Sequence, residues 1–261
     1  MTAPTIIFET DGPIAFLTFN RPEARNAMTW EMYDGLVEAC DRVDGGDGVR
    51  VFVLKGAGGK AFASGTDIAQ FTTFRSRDDA IAYERRLDAA IDRLERVRAA
   101  TIAQVEGVAT GGGCAIALAC DLRVCTRDAR LGVPIARTLG NCLSAANCAR
   151  LIDLIGPART KELLMSGRLV DAAEAATLGL VSRIVAADSI DGAVRELATT
   201  IAANAPLTVR ATKETVRRIQ AARRLPPDAI DDLIAACYTS DDFKEGVAAF
   251  LAKRPPQFRG R

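Results

Sequence analysis

The sequence predicts an α/β fold, with a core over residues 1–195 and a helical part over residues 196–261. Three observations predict it. Short apolar runs with strand character alternate with segments of helical periodicity through the first stretch, the order expected of layered strands and helices. Beyond it the strand pattern ends and helices follow one another. Hydrophobic residues make up 49% of the 261, enough to fill a large core and to exclude a disordered chain.

Taken in order, Ile6-Ile7-Phe8, the turn residues Asp11-Gly12 and the run from 14 to 19 read as a β-hairpin. Past the Asn20-Arg21-Pro22 loop a helix is predicted. Thr29 suits its N-cap, Glu31 its positive end, and Met32, Leu36, Cys40 and Val43 share one face. Residues 44–48 read as a loop, and 49–54 as a strand whose apolar run, continuous over 51–54, marks it as buried. A turn over 55–59 follows. From 79 to 98 the pattern is helical, with Leu87, Ile91, Leu94 and Arg98 on one stripe. Residues 101–105 form a short strand, and Gly111-Gly112-Gly113 opens an apolar helix ending near Cys120. Two more short strands fall at 122–125 and 131–133. After Ser144 the pattern is mostly helical.

Charge and composition exclude several functions. Thirty-four Lys and Arg face 33 Asp and Glu, a net charge of +1, which speaks against nucleic acid or an anionic membrane as a partner. Histidine is absent, and with it every Ser-His-Asp or Cys-His mechanism and the usual His-containing zinc sites. The seven cysteines form no C-x-x-C, are odd in number and lie mostly among apolar residues, as reduced thiols in the cytoplasm do. The N-terminal segment has neither a basic stretch nor a long apolar one, so no secretory signal is expected. The longest apolar stretch, residues 108–120, is broken by three glycines and is too short to span a bilayer. The expectation is a soluble cytoplasmic protein.

Two glycine turns stand out. Ala61-Phe62-Ala63-Ser64-Gly65-Thr66-Asp67-Ile68 follows one strand, and Ala109-Thr110-Gly111-Gly112-Gly113-Cys114 follows another and opens a helix. Glycines let a backbone approach a ligand with its N–H groups free, and a helix start adds unpaired donors. Two such donors on one oxygen make an oxyanion hole, in which losing one costs roughly 2.7–4 kcal/mol of barrier. The alternative is that Gly111, Gly112 and Gly113 only allow tight packing of helix on strand. No Lys-Ser or Lys-Thr follows them to make a phosphate loop.

Together the segments resemble the crotonase superfamily, the enoyl-CoA hydratase/isomerase fold. Asn20-Arg21-Pro22-Glu23-Ala24-Arg25-Asn26-Ala27-Met28 is similar to its N-terminal signature, and the two glycine turns, the second running on to Cys120-Asp121-Leu122-Arg123, to its two oxyanion segments. Gly156-Pro157-Ala158-Arg159, then Ala172-Ala173-Glu174-Ala175 with Gly179-Leu180-Val181, and Asp242-Phe243-Lys244-Glu245-Gly246 through Phe250 to Pro255 continue the likeness across the chain. The resemblance implies a spiral of ββα units over 1–195 that binds an acyl-CoA. Residues 196–261 then form a helical trimerisation region, giving a homotrimer or dimer of trimers. It implies a lyase or isomerase of the fatty-acid type with no cofactor, CoA being part of the substrate. The thioester oxygen would lie between the N–H groups of Thr66 and Gly112. Arg25, Ala63, Gly65, Asp67, Ile68, Gly111, Ala115 and Ile135 would line the substrate, and Phe250 and Lys253 would reach a neighbouring subunit's CoA. Asp67 is structural in that pattern. The helix carrying Arg210, Lys213, Arg217 and Arg218 reads as a solvated face, with contact to CoA phosphates as the alternative.

The sequence also departs from the pattern. The family's hydratases carry two glutamates, and Ala115 and Ile135 stand in their places. No Asp or Glu occurs from 107 to 120 or from 129 to 152. General acid–base help is worth about 10²–10⁴-fold, so efficient hydration of simple enoyl-CoAs is not expected. The second segment instead carries Arg137, Asn141, Cys142 and Ser144. Arg137 could hold a carboxylate or phosphate, Asn141 or Ser144 could orient water, and Cys142 could act as nucleophile or acid. The bland alternatives are that Asn141 or Ser144 caps the next helix and that Cys142 is a buried apolar residue. Glu84 or Tyr83, on the earlier helix, are the remaining candidates to reach an acyl group. A catalytically silent acyl-CoA binder or oligomer subunit is the competing expectation.

Overall fold

A computed structural model describes residues 3–46, 48–74 and 76–261. The expected hairpin is present, β1 (Ile6–Asp11) pairing antiparallel with β2 (Ile14–Phe19). Helix α1 (Trp30–Gly45) starts where expected, the Thr29 side chain accepting from the Met32 N–H. It runs through Asp44 and Gly45, which the sequence placed in a loop, and Asp47 of that loop lies outside the described residues.

Three strand pairs then follow the same path. β3 (Val51–Gly56) and β4 (Ala61–Ala63) lead to α2 (Arg77–Glu95); β5 (Ala100–Val105) and β6 (Val108–Thr110) lead to α3 (Gly112–Ala119); β7 (Leu122–Thr126) and β8 (Arg130–Gly132) lead to α4 (Ile135–Thr138) and α5 (Ala145–Ser166). The first strand of each pair joins one sheet and the second joins another, so β3, β5 and β7 are parallel neighbours, as are β4, β6 and β8. Each unit thus advances both sheets by one strand, which winds the chain into a spiral. β9 (Val170–Asp171), α6 (Ala172–Thr177) and β10 (Arg183–Val185) complete the sheets, in the orders β1-β2-β3-β5-β7-β10 and β4-β6-β8-β9. The helices α7 (Ile190–Ala203), α8 (Pro206–Ala221), α9 (Asp231–Tyr238) and α10 (Asp241–Leu251) end the fold.

The unbroken apolar run of β3 has a direct cause. Phe52 and Leu54 face the main core with α1 and α2, while Val51 and Val53 face Ile190, Val194, Ala198 and Ala202 of α7. Both faces of the sheet are buried, so alternation would leave polar groups stranded. The expected boundary at 195 falls within α7, whose buried face continues to Ala202. Two details of the helices differ from the periodicity. The apolar stripe of α2 stops at Leu94, and Arg98 lies beyond the helix on Asp44. On α8, Lys213 is not solvated: its side chain is 10% exposed, pairs with Asp121 at 2.8 Å and donates to the Ala99 carbonyl. Arg217 and Arg218 both hold Glu214.

Among the described residues, no helix is long and apolar enough to cross a membrane.

Candidate active site

The two glycine turns meet. Pairing of β4 with β6 sets the segments that follow them side by side, and Gly65 (φ +107°) and Gly111 (φ +52°) take backbone conformations open to glycine. A Cβ on Gly111 would lie 3.5 Å from the Gly65 Cα. One residue further on, a Cβ on Gly112 would lie 3.7 Å from the Thr66 nitrogen and only 2.4 Å from the Tyr33 hydroxyl oxygen.

The bonding around Thr66 leaves its own N–H free. Met28 N donates to the Gly65 carbonyl at 2.8 Å and Asp67 N donates to the Met28 carbonyl at 2.9 Å, so the bridge skips the Thr66 N–H. Gly112 is the first residue of α3, where helix geometry supplies no acceptor for the N–H. Neither group donates to another described residue. Two unpaired donors side by side, one of them at a positive helix end, can receive a single oxygen that is gaining charge.

The residues expected around these donors fall as follows. Ala63, Gly65 and Ala115 are buried, Ile68, Gly111 and Ile135 half-buried, and Arg25 exposed with a left-handed backbone. Asp67 is engaged structurally: it pairs with Arg21 at 3.2 Å and caps the turn at Ala69. Arg137 projects from the short α4 and is exposed. Phe250 is 53% exposed at the end of α10, with Lys253 exposed beyond it.

Ser144 is the N-cap of α5, accepting from the Asn147 N–H at 3.3 Å and donating to Asp88 at 2.7 Å. Ser144→Ala is therefore expected to cost about 1–2 kcal/mol of stability, read as a shift of the urea midpoint, and to leave any turnover within about threefold. A large loss of turnover at unchanged stability would instead place Ser144 in the chemistry. Cys142 faces Cys237, and burial raises its thiol well above the ordinary range, which disfavours the thiolate a nucleophile would need.

Beside the free donors lies a network that sequence reasoning reached only in part. The chain has three tyrosines, and all three converge here. The Tyr83 hydroxyl donates to Thr66 Oγ1 at 3.0 Å, and the Tyr33 hydroxyl shares a hydrogen with the same oxygen at 2.9 Å. The Tyr238 hydroxyl donates to Glu84 Oε1 and accepts from Asn141 Nδ2 at 2.9 Å. Asn141 thus holds a tyrosine instead of capping a helix. Burial raises all three phenols and pushes the Glu84 carboxyl from its ordinary 4.5 up to about 8. Trp30, Phe71 and Phe74 pack around Tyr83, and Tyr238 packs at a tilt against Phe243, with ring centroids 4.8 Å apart. A cavity of about 310 Å³ opens against Phe71, Phe74, Tyr238 and Phe243. Tyr33 and Tyr238 were not singled out in the sequence, although both sit on apolar helix faces.

Comparison with known proteins adds four likenesses. Residues 9–261 match the family model described as enoyl-CoA hydratase/isomerase. The chain is 35% identical to "Probable enoyl-CoA hydratase echA8" of Mycobacterium tuberculosis, with all of both chains covered. It is 30% identical to the short-chain-enoyl-CoA hydratase of Clostridium acetobutylicum, over 97% of each. Among solved structures, an enoyl-CoA hydratase/carnithine racemase of Magnetospirillum magneticum superposes with a TM-score of 0.81 at 35% identity, covering 100% of this chain and 97% of that one.

Proposed function

This chain belongs to the enoyl-CoA hydratase/isomerase family, and from that premise we propose that it transforms an acyl-CoA thioester through an enolate held by the Thr66 and Gly112 N–H groups. The observation that carries this reading is the pair of unpaired backbone donors at the meeting of the two glycine turns. A thioester oxygen placed between them gains charge as the α-carbon becomes nucleophilic, and preorganised donors favour that state over the neutral carbonyl.

Ala115 and Ile135 put apolar side chains where hydratases of the family carry carboxylates, so the reaction is not efficient hydration of a simple enoyl-CoA. The same two residues favour the second reading, a silent acyl-CoA binder. For the assembly, exposed Leu207, Val216, Ile219 and Leu233 on the C-terminal helices support a homotrimer or dimer of trimers. The seven free cysteines fit a reducing cytoplasm.

The test is incubation of the pure protein with enoyl, 3-hydroxyacyl, aromatic and dicarboxylyl CoA thioesters in heavy water, read by mass spectrometry. Deuterium at the α-carbon or a changed acyl mass is the expected result and names the substrate class. Thioesters that bind and emerge unchanged would establish the binder.

A further inference from the structure

Glu84 lies one turn before Leu87 on the buried stripe of α2 and is 4% exposed. Its Oε1 accepts the Tyr238 hydroxyl, while its Oε2 is buried with no hydrogen-bond partner among the described residues. A half-satisfied carboxyl group on an apolar stripe weakens the fold, since Leu or Met there would pack without that cost. It also lies within electrostatic reach of the Tyr33 and Tyr83 hydroxyls, which meet on Thr66, the residue that presents one of the two free N–H groups. The cavity bounded by Phe71, Phe74 and Phe243 opens on Tyr238, the residue that holds Glu84. The stretches 107–120 and 129–152, which hold Ala115 and Ile135 where the family's hydratases carry their glutamates, contain no Asp or Glu.

We propose that Glu84 is the acid–base residue of this site, its free Oε2 taking the α-proton of the bound acyl group and giving it back. The assignment rests on the acyl-CoA reading above. In the forward step the Cα–H bond breaks and its proton goes to Oε2. The electron pair left on carbon moves into the enolate, whose oxygen the Thr66 and Gly112 N–H groups receive. In the return step the Oε2–H bond breaks and carbon takes the proton, so no other reactant is needed. Tyr238 donates to Oε1 and favours the carboxylate that begins each cycle.

The groups facing Glu84 set where it titrates. Asp88 stands one turn along α2, Tyr33 comes from α1, Tyr83 adjoins it, Tyr238 comes from α9, and Cys142 and Cys148 approach from the loop before α5 and from α5. Arg150 of α5 is bound to Asp92 and Glu95. Burial therefore prevails and the carboxyl titrates at about 8, near enough to neutrality to pass a proton in either direction.

The experiment measures α-hydrogen exchange of butanoyl-CoA and phenylacetyl-CoA in heavy water by mass spectrometry, with thioester binding by calorimetry alongside. It uses the full chain as wild type, Glu84→Gln and Tyr238→Phe. Wild-type exchange is expected to climb about tenfold per pH unit and level off above about pH 8. Glu84→Gln, which keeps the shape and the acceptor for Tyr238, is expected to lose at least about 10²-fold in exchange while binding stays within about threefold. Tyr238→Phe leaves the base in place but removes a bond to the carboxylate, so its levelling-off point should move to higher pH. A purely structural glutamate would not move that point. Glu84→Gln exchanging within about threefold of wild type overturns the assignment. So does a wild type that binds either thioester and leaves its α-hydrogens in place. A wild type that binds neither removes the acyl-CoA reading, and the Glu84 assignment goes with it.

Discussion

Thr66→Pro is expected to lower turnover of an accepted acyl-CoA by about 10²–10³-fold, corresponding to one lost oxyanion donor at roughly 2.7–4 kcal/mol of barrier. In the backbone bonding proline deletes only the free Thr66 N–H, because the Met28 bridge uses Gly65 O and Asp67 N and bypasses the Thr66 nitrogen. Gly65 precedes it, and glycine tolerates the restriction that proline places on its neighbour better than any other residue. The substitution also removes the hydroxyl that Tyr33 and Tyr83 share, so Thr66→Ala is the control. Alanine keeps the N–H and strands two phenols, at a cost of about 1–3 kcal/mol of stability. Below its melting transition it should turn over within about tenfold of wild type, with KM little changed. Steady-state kcat and KM for both variants, checked by circular dichroism melts, decide the matter. Equal losses in the two would assign the effect to the hydroxyl network and remove the oxyanion reading.

Local chemistry is what the sequence made visible. Thr29 was legible as a cap because the N–H it accepts from, that of Met32, is three residues away, and the 49–54 strand, found at Val51–Gly56, as buried because the apolar run over 51–54 needs cover on both faces. The two glycine turns were legible for the same reason, since their character lies within a few consecutive residues. Four strands were not: β4, β6 and β10 have three residues each and β9 two, too few to show a period of two. The positions of β9 and β10 come from pairing with β8 and β7, made long after those strands in the chain. Lys213 was misread as solvated because its partners, Ala99 and Asp121, are about a hundred residues distant. The Tyr238–Glu84 bond spans 154 residues and has no local mark at its far end. At its near end there was a sign. Position 84 continues the stripe of Leu87, Ile91 and Leu94 by one turn, and a carboxylate on such a stripe is either paired or retained for chemistry.

That stripe position carries a second consequence, for stability. Folding raises the Glu84 carboxyl from 4.5 to about 8 because burial disfavours the charge. Between those pH values the folded chain holds a proton that the unfolded chain has released, so stability falls as pH rises through the window. A shift of that size is worth roughly 4–5 kcal/mol once pH passes about 8. Asp88, raised by burial from 3.8 to about 6, weakens the fold in the same direction but completes its titration earlier. Glu95 works oppositely: burial would raise it, but Arg224 and Arg150 hold it at about 2, so its contribution is whole above 4.5 and disappears only as pH falls toward 2. Above pH 6, then, Glu84 is the carboxyl that sets the slope. Glu84→Gln cannot ionise, so its stability should run nearly flat from pH 6 to 8.5 where the wild type declines, and it should be the more stable protein at pH 8.5. Urea unfolding at pH 5, 7 and 8.5 reads both curves, and parallel curves would mean that the carboxyl is neutral throughout or already solvated. A variant that gains alkaline stability and loses proton exchange together ties the two effects to one group, because a glutamate kept on an apolar stripe against the interest of the fold is retained for what its ionised form does.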